Sequence, residues 1–438
     1  MKHPSLPAEF ARYASLSVLG MAAVSCYILA DTFFVARGLG ATGLAALNLA
    51  IPVYNVIHGA GLLLGMGGAT RFAILRSQGA ARRADSVFTH TLAMAAAAAA
   101  VFAALGAFAA PALAALLGAD GATAAMTATY LRVLLLFSPA FLLNDVLVCF
   151  VRNDGAPQLA MAATVSGSLA NVVMDYIFIF PCGLGIFGAV LATGFSPVIG
   201  ICTQAPHWAS RRCGFRPQAS RPNPRLAGQL LGLGVPALLE QLSGAVVMIT
   251  FNALILRLAG NTGVAAYGVV ANLSLVVLSV YTGIAQGSQP LVSRAWGQGR
   301  AAEGRRVLRY ALTCALVFAA AVYAVFFFGT GPIAAIFNSE ADPALQRMAE
   351  QGLRLYFLAL PFAAVNVVLA TYFASIEQAG PAQAVSLLRG VVVIVPAALA
   401  LSALFALPGV WLAFPVSEAI VAVVAVALLV RGRKPEKA

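Results

Sequence analysis

Runs of twenty or more mainly apolar residues recur along the chain, most clearly at Leu92–Leu117, Val307–Phe328, Gly390–Leu407 and Val410–Val430. A helix crossing the hydrocarbon core of a bilayer needs roughly 20 such residues with few charges. Of 438 residues, 61% are hydrophobic and 10% charged. No single water-soluble core hides that much apolar surface, because core growth stops at about 250–300 residues. Strands of a membrane barrel would instead show short alternating segments. The chain therefore reads as an all-α polytopic membrane protein. Breaks at Gly, Pro and charged clusters place spans near 13–36, 44–69, 88–117, 124–149, 157–181, 185–208, 228–257, 264–290, 307–336, 344–374, 382–407 and 410–430.

The basic residues set the orientation. Twenty-one of the 27 Lys and Arg fall in one set of loops: Lys2 and Arg12; Arg71, Arg76, Arg82 and Arg83; Arg152; Arg211, Arg212, Arg216, Arg221 and Arg225; Arg294, Arg300, Arg305, Arg306 and Arg309; Arg431, Arg433, Lys434 and Lys437. The opposite loops hold Arg37, Arg257 and Arg347, and Arg132, Arg354 and Arg389 lie within spans. The positive-inside rule puts the rich set in the cytoplasm, with both termini there and an even number of spans. The net charge of +12 is thus an orientation signal, and no nucleic-acid role is expected. The N-terminus lacks a small-residue cleavage site after a short apolar core, so no removed signal peptide is expected. The six cysteines are scattered without a CxxC, and His3, His58, His90 and His207 have no metal spacing. No GxxxxGK[ST] occurs, which argues against ATP-driven pumping.

The chain also repeats itself. Gly40-Ala-Thr-Gly-Leu-Ala-Ala returns as Gly260-Asn-Thr-Gly-Val-Ala-Ala, an offset of 220 residues. Gln78-Gly79 meets Gln298-Gly299, Gly67 meets Gly287, and Leu117-Gly-Ala-Asp120 meets Phe337-Asn-Ser-Glu340 at the same offset. Two parallel lobes of six spans are expected, residues 1–208 and 226–438, joined by a basic linker at 209–225. Parallel repeats are related by an axis along the membrane normal, which leaves a cleft between lobes suited to alternating access.

Carboxylates inside spans are costly and mark function by default. Asp31, Asp145, Asp175, Glu240 and Glu418 are the candidates. Counting along their spans at about 1.5 Å per residue places Asp31, Asp175 and Thr193 at one level, roughly 9–12 Å below the outer boundary. Asn171 sits one turn from Asp175. Such a layer suits Na⁺ held by oxygens or a proton trapped between carboxylates; its bland reading is a polar network that fixes packing. The second half has no acidic equivalents: Phe251 aligns with Asp31 and Phe414 with Thr193. Glu240 and Glu418, with Gln286 and Tyr176, are candidates for lining a substrate cleft. Asp145, beside Asn144, is expected to pair with Arg152.

The pieces Leu29-Ala-Asp31-Thr-Phe-Phe, GLGATGLAALNLAIP from Gly38, Arg152-Asn-Asp-Gly155-Ala-Pro157, Asn171-Val-Val-Met-Asp175-Tyr-Ile-Phe-Ile-Phe, Gly185-Ile-Phe-Gly-Ala-Val-Leu-Ala-Thr193 and Gly283-Ile-Ala-Gln-Gly-Ser-Gln-Pro290 together resemble the multidrug and toxic compound extrusion (MATE) family. The likeness covers almost the whole chain and looks like the bacterial MepA-type branch rather than the NorM-type one. It implies twelve transmembrane helices in two six-helix lobes around a V-shaped cleft. It implies export of cationic or amphipathic drugs in exchange for H⁺ or Na⁺, by a secondary transporter rather than an enzyme. No cofactor is implied beyond the coupling ion. The family's cation site carries over onto Asp31, Asn171, Asp175 and Thr193, with Asn144 as a further member. Some members use an acidic residue on span 7, where Glu240 stands at a different spacing from Pro236. The expectation is a monomeric multi-pass protein of the bacterial cytoplasmic (inner) membrane. The rival is a flippase of lipid-linked saccharide, which would want a large cationic patch in the cleft.

Overall fold

The computed structural model describes residues 5–121, 123–209, 213–338 and 342–431. Lys2, His3, Arg211, Arg212, Glu340, Arg433, Lys434 and Lys437, on which some of the expectations rest, lie outside the described residues. All regular elements among the described residues are helices, with no strand. Among the described residues, nine helices are long and apolar enough to cross a bilayer, and a tenth crossing is a pair bent by 49°. Two of the nine have 74 and 53 residues, far beyond the ~20 that one crossing needs. Divided where their backbones leave helical geometry, they complete a set of twelve.

In chain order these are α1 (Leu6–Gly40), α2 (Thr42–Ser77), α3 (Ala81–Leu116), α4 (Ala124–Leu136 with Ser138–Asn153), α5 (Pro157–Ile179) and α6 (Gly185–Ala209). The second half holds α7 (224–259), α8 (261–297), α9 (Ala301–Phe328), α10 (Pro343–Ser375), α11 (379–405) and α12 (407–431). Several of these helices run past the expected spans at their basic ends. The segments Ala81–Asp85 and Ala301–Arg306 are helical although charged, because a helix does not stop where the lipid does. The expected span 307–336 is instead cut at Gly329, beyond which a separate short helix runs Thr330–Phe337.

The repeat seen in the sequence has a backbone counterpart. Gly40 has φ 65° and ψ −161°, and Gly260 has φ 62° and ψ −159°. Positive φ costs an L-residue with a side chain, whereas glycine adopts it freely. The same glycine therefore ends the first helix of each half by the same conformation. In α11 the break is different: a π-helical turn at Leu388–Val392, followed by Ala406 at φ 52°.

Each half buries its own core. One cluster joins α2 to α6 through Phe72, Phe88, Leu131, Leu134 and Phe150, and the other joins α7 to α12 through Phe251, Tyr281, Phe357, Phe373 and Trp411. The first turns of α1 (Phe10, Tyr13, Ala14) belong to the second cluster, so α1 bridges both lobes. The linker after α6 is docked rather than loose. Phe215, 2% exposed, inserts among the rings of Phe72, Phe88 and Phe150 at 4.6–5.9 Å. Backbone N–H groups of Gly214 and Arg216 donate to Asp154 Oδ2 and Asp85 Oδ1 at 2.7 and 3.1 Å. Asn223 then caps α7, its side chain accepting from the N–H groups of Arg225 and Leu226.

Candidate functional site

The first-half acidic layer assembles from α1, α5 and α6. Asp31 is 8% exposed, Thr193 4%, and Asp175 and its neighbour Asn171 are fully buried. The two carboxyls lie within hydrogen-bonding reach of each other. Turned to suit both neighbours, the Asn171 amide donates to Asp175 Oδ2 at 3.1 Å and accepts from the Thr193 backbone N–H at 3.2 Å. Thr193 Oγ1 donates back to the Ala189 carbonyl of its own helix at 3.2 Å. Asp31 Oδ1 and Asp175 Oδ1 are buried without a donor. Two facing carboxylates at this range do not both stay ionised unless a cation joins them or one takes a proton. The unpaired oxygens are thus the acceptors that a proton or an oxygen-coordinated cation completes.

Two tyrosines that the sequence reading passed over belong to this layer. Tyr130 of α4, 3% exposed, lies beside Thr193 and Asp31. Tyr27 lies one turn before Asp31 on α1, and its hydroxyl bonds that of Tyr54 on α2. The i, i+4 spacing of Tyr27 and Asp31 was the available signal, but nothing in the sequence alone separates such a tyrosine from one that faces lipid.

The remaining candidates go elsewhere. Asn144 turns to α6, where its Oδ1 accepts from Gln204 at 3.3 Å. Asp145 does not meet Arg152: its Oδ2 pairs with His58 Nδ1 at 2.9 Å, and Arg152 donates to Gln286 at 2.9 Å. Seven residues apart on α4, Asp145 and Arg152 are two turns away from each other. Glu418 is 1% exposed and sealed in the second lobe. It pairs with Arg389 at 2.6 Å and accepts from Asn366 at 2.7 Å, so it is closed to the cleft. Glu240 is half-buried and accepts from Thr282 at 2.8 Å. Tyr176, 54% exposed, stands among Phe34 and Phe180.

In the second lobe the matching level is aromatic. Phe251 and Phe414, the residues aligned with Asp31 and Thr193, both pack on Tyr356, at 6.1 and 4.4 Å between ring centroids. Hydrocarbon takes the place of the carboxylate layer, so the lobes share a frame and differ in chemistry.

The lobes meet along the halves of α1, α2, α7 and α8 nearest the basic loops. Gln286 and Gln289 of α8 form cross-lobe hydrogen bonds with Arg152, Asn153 and Thr70 at 2.7–3.1 Å. Arg294 donates to Glu9 at 2.8 Å, and Arg71 bonds Glu377. Gly67 and Gly287, the repeat-related pair, each face the other lobe's backbone: a Cβ would lie 2.0 Å from the Leu230 carbonyl oxygen at Gly67, and 2.7 Å from that of Tyr13 at Gly287. Only glycine permits so close an approach. No cross-lobe hydrogen bond is found beyond the midpoints of these helices among the described residues. The sequence flagged Gly67, Gly287 and the Gln286–Gln289 motif, but assigned Gln286 to substrate; here it closes the basic end.

The family model described as MatE matches residues 17–177 and 236–399. The chain belongs to the MatE family. The matched segments fall one in each lobe, in step with the internal repeat. The multidrug export protein MepA of Staphylococcus aureus (strain MRSA252) is 25% identical over 437 residues, covering 98% of this chain and 92% of that protein. A MATE structure in complex with MaL6 matches at TM-score 0.91 and 24% identity, and an outward-facing multidrug-resistance MATE family transporter of the MOP superfamily at 0.89 and 24%; each comparison covers 98% of this chain and 96% of the other. These structural likenesses establish the MatE fold of twelve helices in two lobes around a central cleft.

Proposed function

We propose that this MatE chain is a secondary-active multidrug exporter of the bacterial inner membrane, exchanging cationic or amphipathic drugs for H⁺ or Na⁺. The observation that carries the reading is the buried Asp31–Asp175 pair with its two unpaired oxygens, held in one of two otherwise parallel lobes. The nature of the relatives, named as multidrug export proteins, supports the drug substrate. On this reading the basic end is cytoplasmic, with both termini on that side, and the chain works as a monomer.

The cross-lobe contacts then form a cytoplasmic gate, closed in this structure. Binding of the coupling cation at Asp31 and Asp175 changes the charge of the first lobe and biases the equilibrium between gate-closed and gate-open states. Glu240 is the acidic side chain left for a cationic drug, Glu418 being engaged by Arg389. A lipid-linked saccharide would need free cations in the cleft. Arg389 is bound to Glu418, and Arg354 donates to Thr330 beside the Phe327 ring, which weighs against that rival. The test is flux of a cationic dye in proteoliposomes under separately imposed pH and Na⁺ gradients. Uptake that follows neither gradient refutes antiport.

A further inference from the structure

We propose that His58 and Asp145 form a second proton-carrying station, joined through Tyr54 and Tyr27 to the Asp31–Asp175 layer, and that this string makes H⁺ the coupling ion. The inference rests on the reading of Asp31 and Asp175 as the coupling site.

The string is built from two helical steps and one hydrogen bond. On α1, Tyr27 lies one turn from Asp31; on α2, Tyr54 lies one turn from His58. At this spacing side chains are neighbours on one helix face. The Tyr27 and Tyr54 hydroxyls bond each other across the two helices. The Tyr54 and His58 rings stack, with centroids 5.9 Å apart and planes 12° apart. His58 Nδ1 bonds Asp145 Oδ2 at 2.9 Å, with side chains 21% and 10% exposed. An oxygen layer is thus linked, through helix-face neighbours and one tyrosine–tyrosine hydrogen bond, to an imidazole with one edge open. The neighbouring Gly59 packs on Leu238 and Gln241 of the other lobe, so His58 stands one residue from the lobe interface. Helix packing by itself would be served by any hydrogen-bonding pair at 58 and 145.

The groups that surround the pair are few. Asp145 and Cys149 come from α4, Tyr27 and Asp31 from α1, and Tyr54 from α2 itself. Across the interface Glu240 accepts from the Thr282 hydroxyl, and Arg152, two turns along α4, donates to Gln286. No described cation other than the imidazole faces Asp145. A carboxylate and an imidazole together hold one more proton than the carboxylate alone, and histidine changes charge near neutral pH. Within a membrane, chains of Asp, Glu and His mark proton relays. Imidazole and a tyrosine pair carry protons; an alkali cation calls instead for a cage of oxygens.

The transfer balances as follows. A proton leaving the Asp31–Asp175 pair passes through a water molecule to the Tyr27 hydroxyl oxygen while Tyr27 passes its own hydroxyl proton to Tyr54. Tyr54 passes one on to a water molecule at the interface, since its ring stacks on His58 rather than bonding it, and that water protonates the imidazole. The acidic pair loses one positive charge and the His58–Asp145 pair gains one. Both tyrosines end as they began.

The experiment uses the full-length protein in proteoliposomes with ethidium as the transported cation. It compares flux driven by a pH gradient alone, flux driven by a Na⁺ gradient alone, and ethidium/ethidium exchange at equal pH. Wild type is expected to respond to the pH gradient only. Tyr54→Phe, which keeps the stacked ring and removes one hydroxyl, and His58→Gln are expected to lose pH-driven flux, keep exchange, and flatten the pH profile. If both variants keep the wild-type flux and profile while Asp31→Asn loses flux, the relay is wrong and the coupling site stands. If Asp31→Asn also keeps its flux, the coupling site itself is wrong. Loss of exchange together with flux in Tyr54→Phe, or wild-type flux on a Na⁺ gradient alone, overturns the proposal.

Discussion

Placing a methyl group at Gly67 should hold the basic end of the molecule open. In the closed arrangement the new Cβ lies 2.0 Å from the Leu230 carbonyl oxygen, 3.0 Å from its carbon and 3.1 Å from the Gly234 nitrogen. These atoms are backbone and have no rotamer to escape into. To reach ordinary van der Waals contact at about 3.4 Å, α2 and α7 must separate by roughly 1.4 Å at this point. Overpacking of this kind costs ~1–3 kcal/mol. Because the clash is between lobes, the cost falls on the closed state alone, and the equilibrium moves toward the open state by ~5- to 150-fold. The assay is a spin–spin distance measurement between labels at Arg76 and Arg300, on the basic end of each lobe, in a background without the native cysteines. Gly67→Ala should convert a short distance into a long one while the melting temperature of the lobes holds. Unchanged distances, with unchanged dye transport, would refute the argument that these helices close by glycine contact.

Three other outcomes follow from the packing. Phe215→Ala empties an aromatic pocket and should cost about 3–5 kcal/mol, read as a lower melting temperature. Arg389→Ala leaves Glu418 buried and unpaired, which should cost about 3–5 kcal/mol; Arg389→Leu combined with Glu418→Leu should recover most of that, measured by thermal unfolding in detergent. Glu377→Ala removes a partly exposed cross-lobe ion pair with Arg71, worth only about 0–1 kcal/mol. It should change the distance distribution far less than Gly67→Ala does.

Much of this architecture is legible in the sequence because lipid makes the rules few. Apolar runs place the helices, and the Gly40/Gly260 repeat places the two lobes; the matching φ of both glycines is the physical reason that motif repeats. The acidic layer was legible by depth counting, since helical rise converts residue number into height. What depth counting lacks is direction around the helix. Asp145 and Arg152 sit near one another in sequence, yet two turns of helix separate them, and each has a partner on another element. Glu418 matches the acidic layer in depth but points into the second lobe toward Arg389, a residue in a π-turn that no periodicity reveals. Gln286 reads equally well as a substrate ligand or as a cross-lobe contact until its partner Arg152 is placed. The sequence marks the linker by its Arg, Pro and Ser content but not its docking, which the single ring of Phe215 provides against the first lobe.

The claim on which the account turns is that Asp31 and Asp175 hold the coupling cation. Cation-gradient-driven dye transport by Asp31→Asn and Asp175→Asn in proteoliposomes tests it most directly, with each variant first checked for wild-type thermal stability. Asparagine keeps the shape and most of the hydrogen bonds of the site while removing its charge. Both variants are expected to lose gradient-driven accumulation altogether and to remain folded. Wild-type rates in either variant would contradict the account.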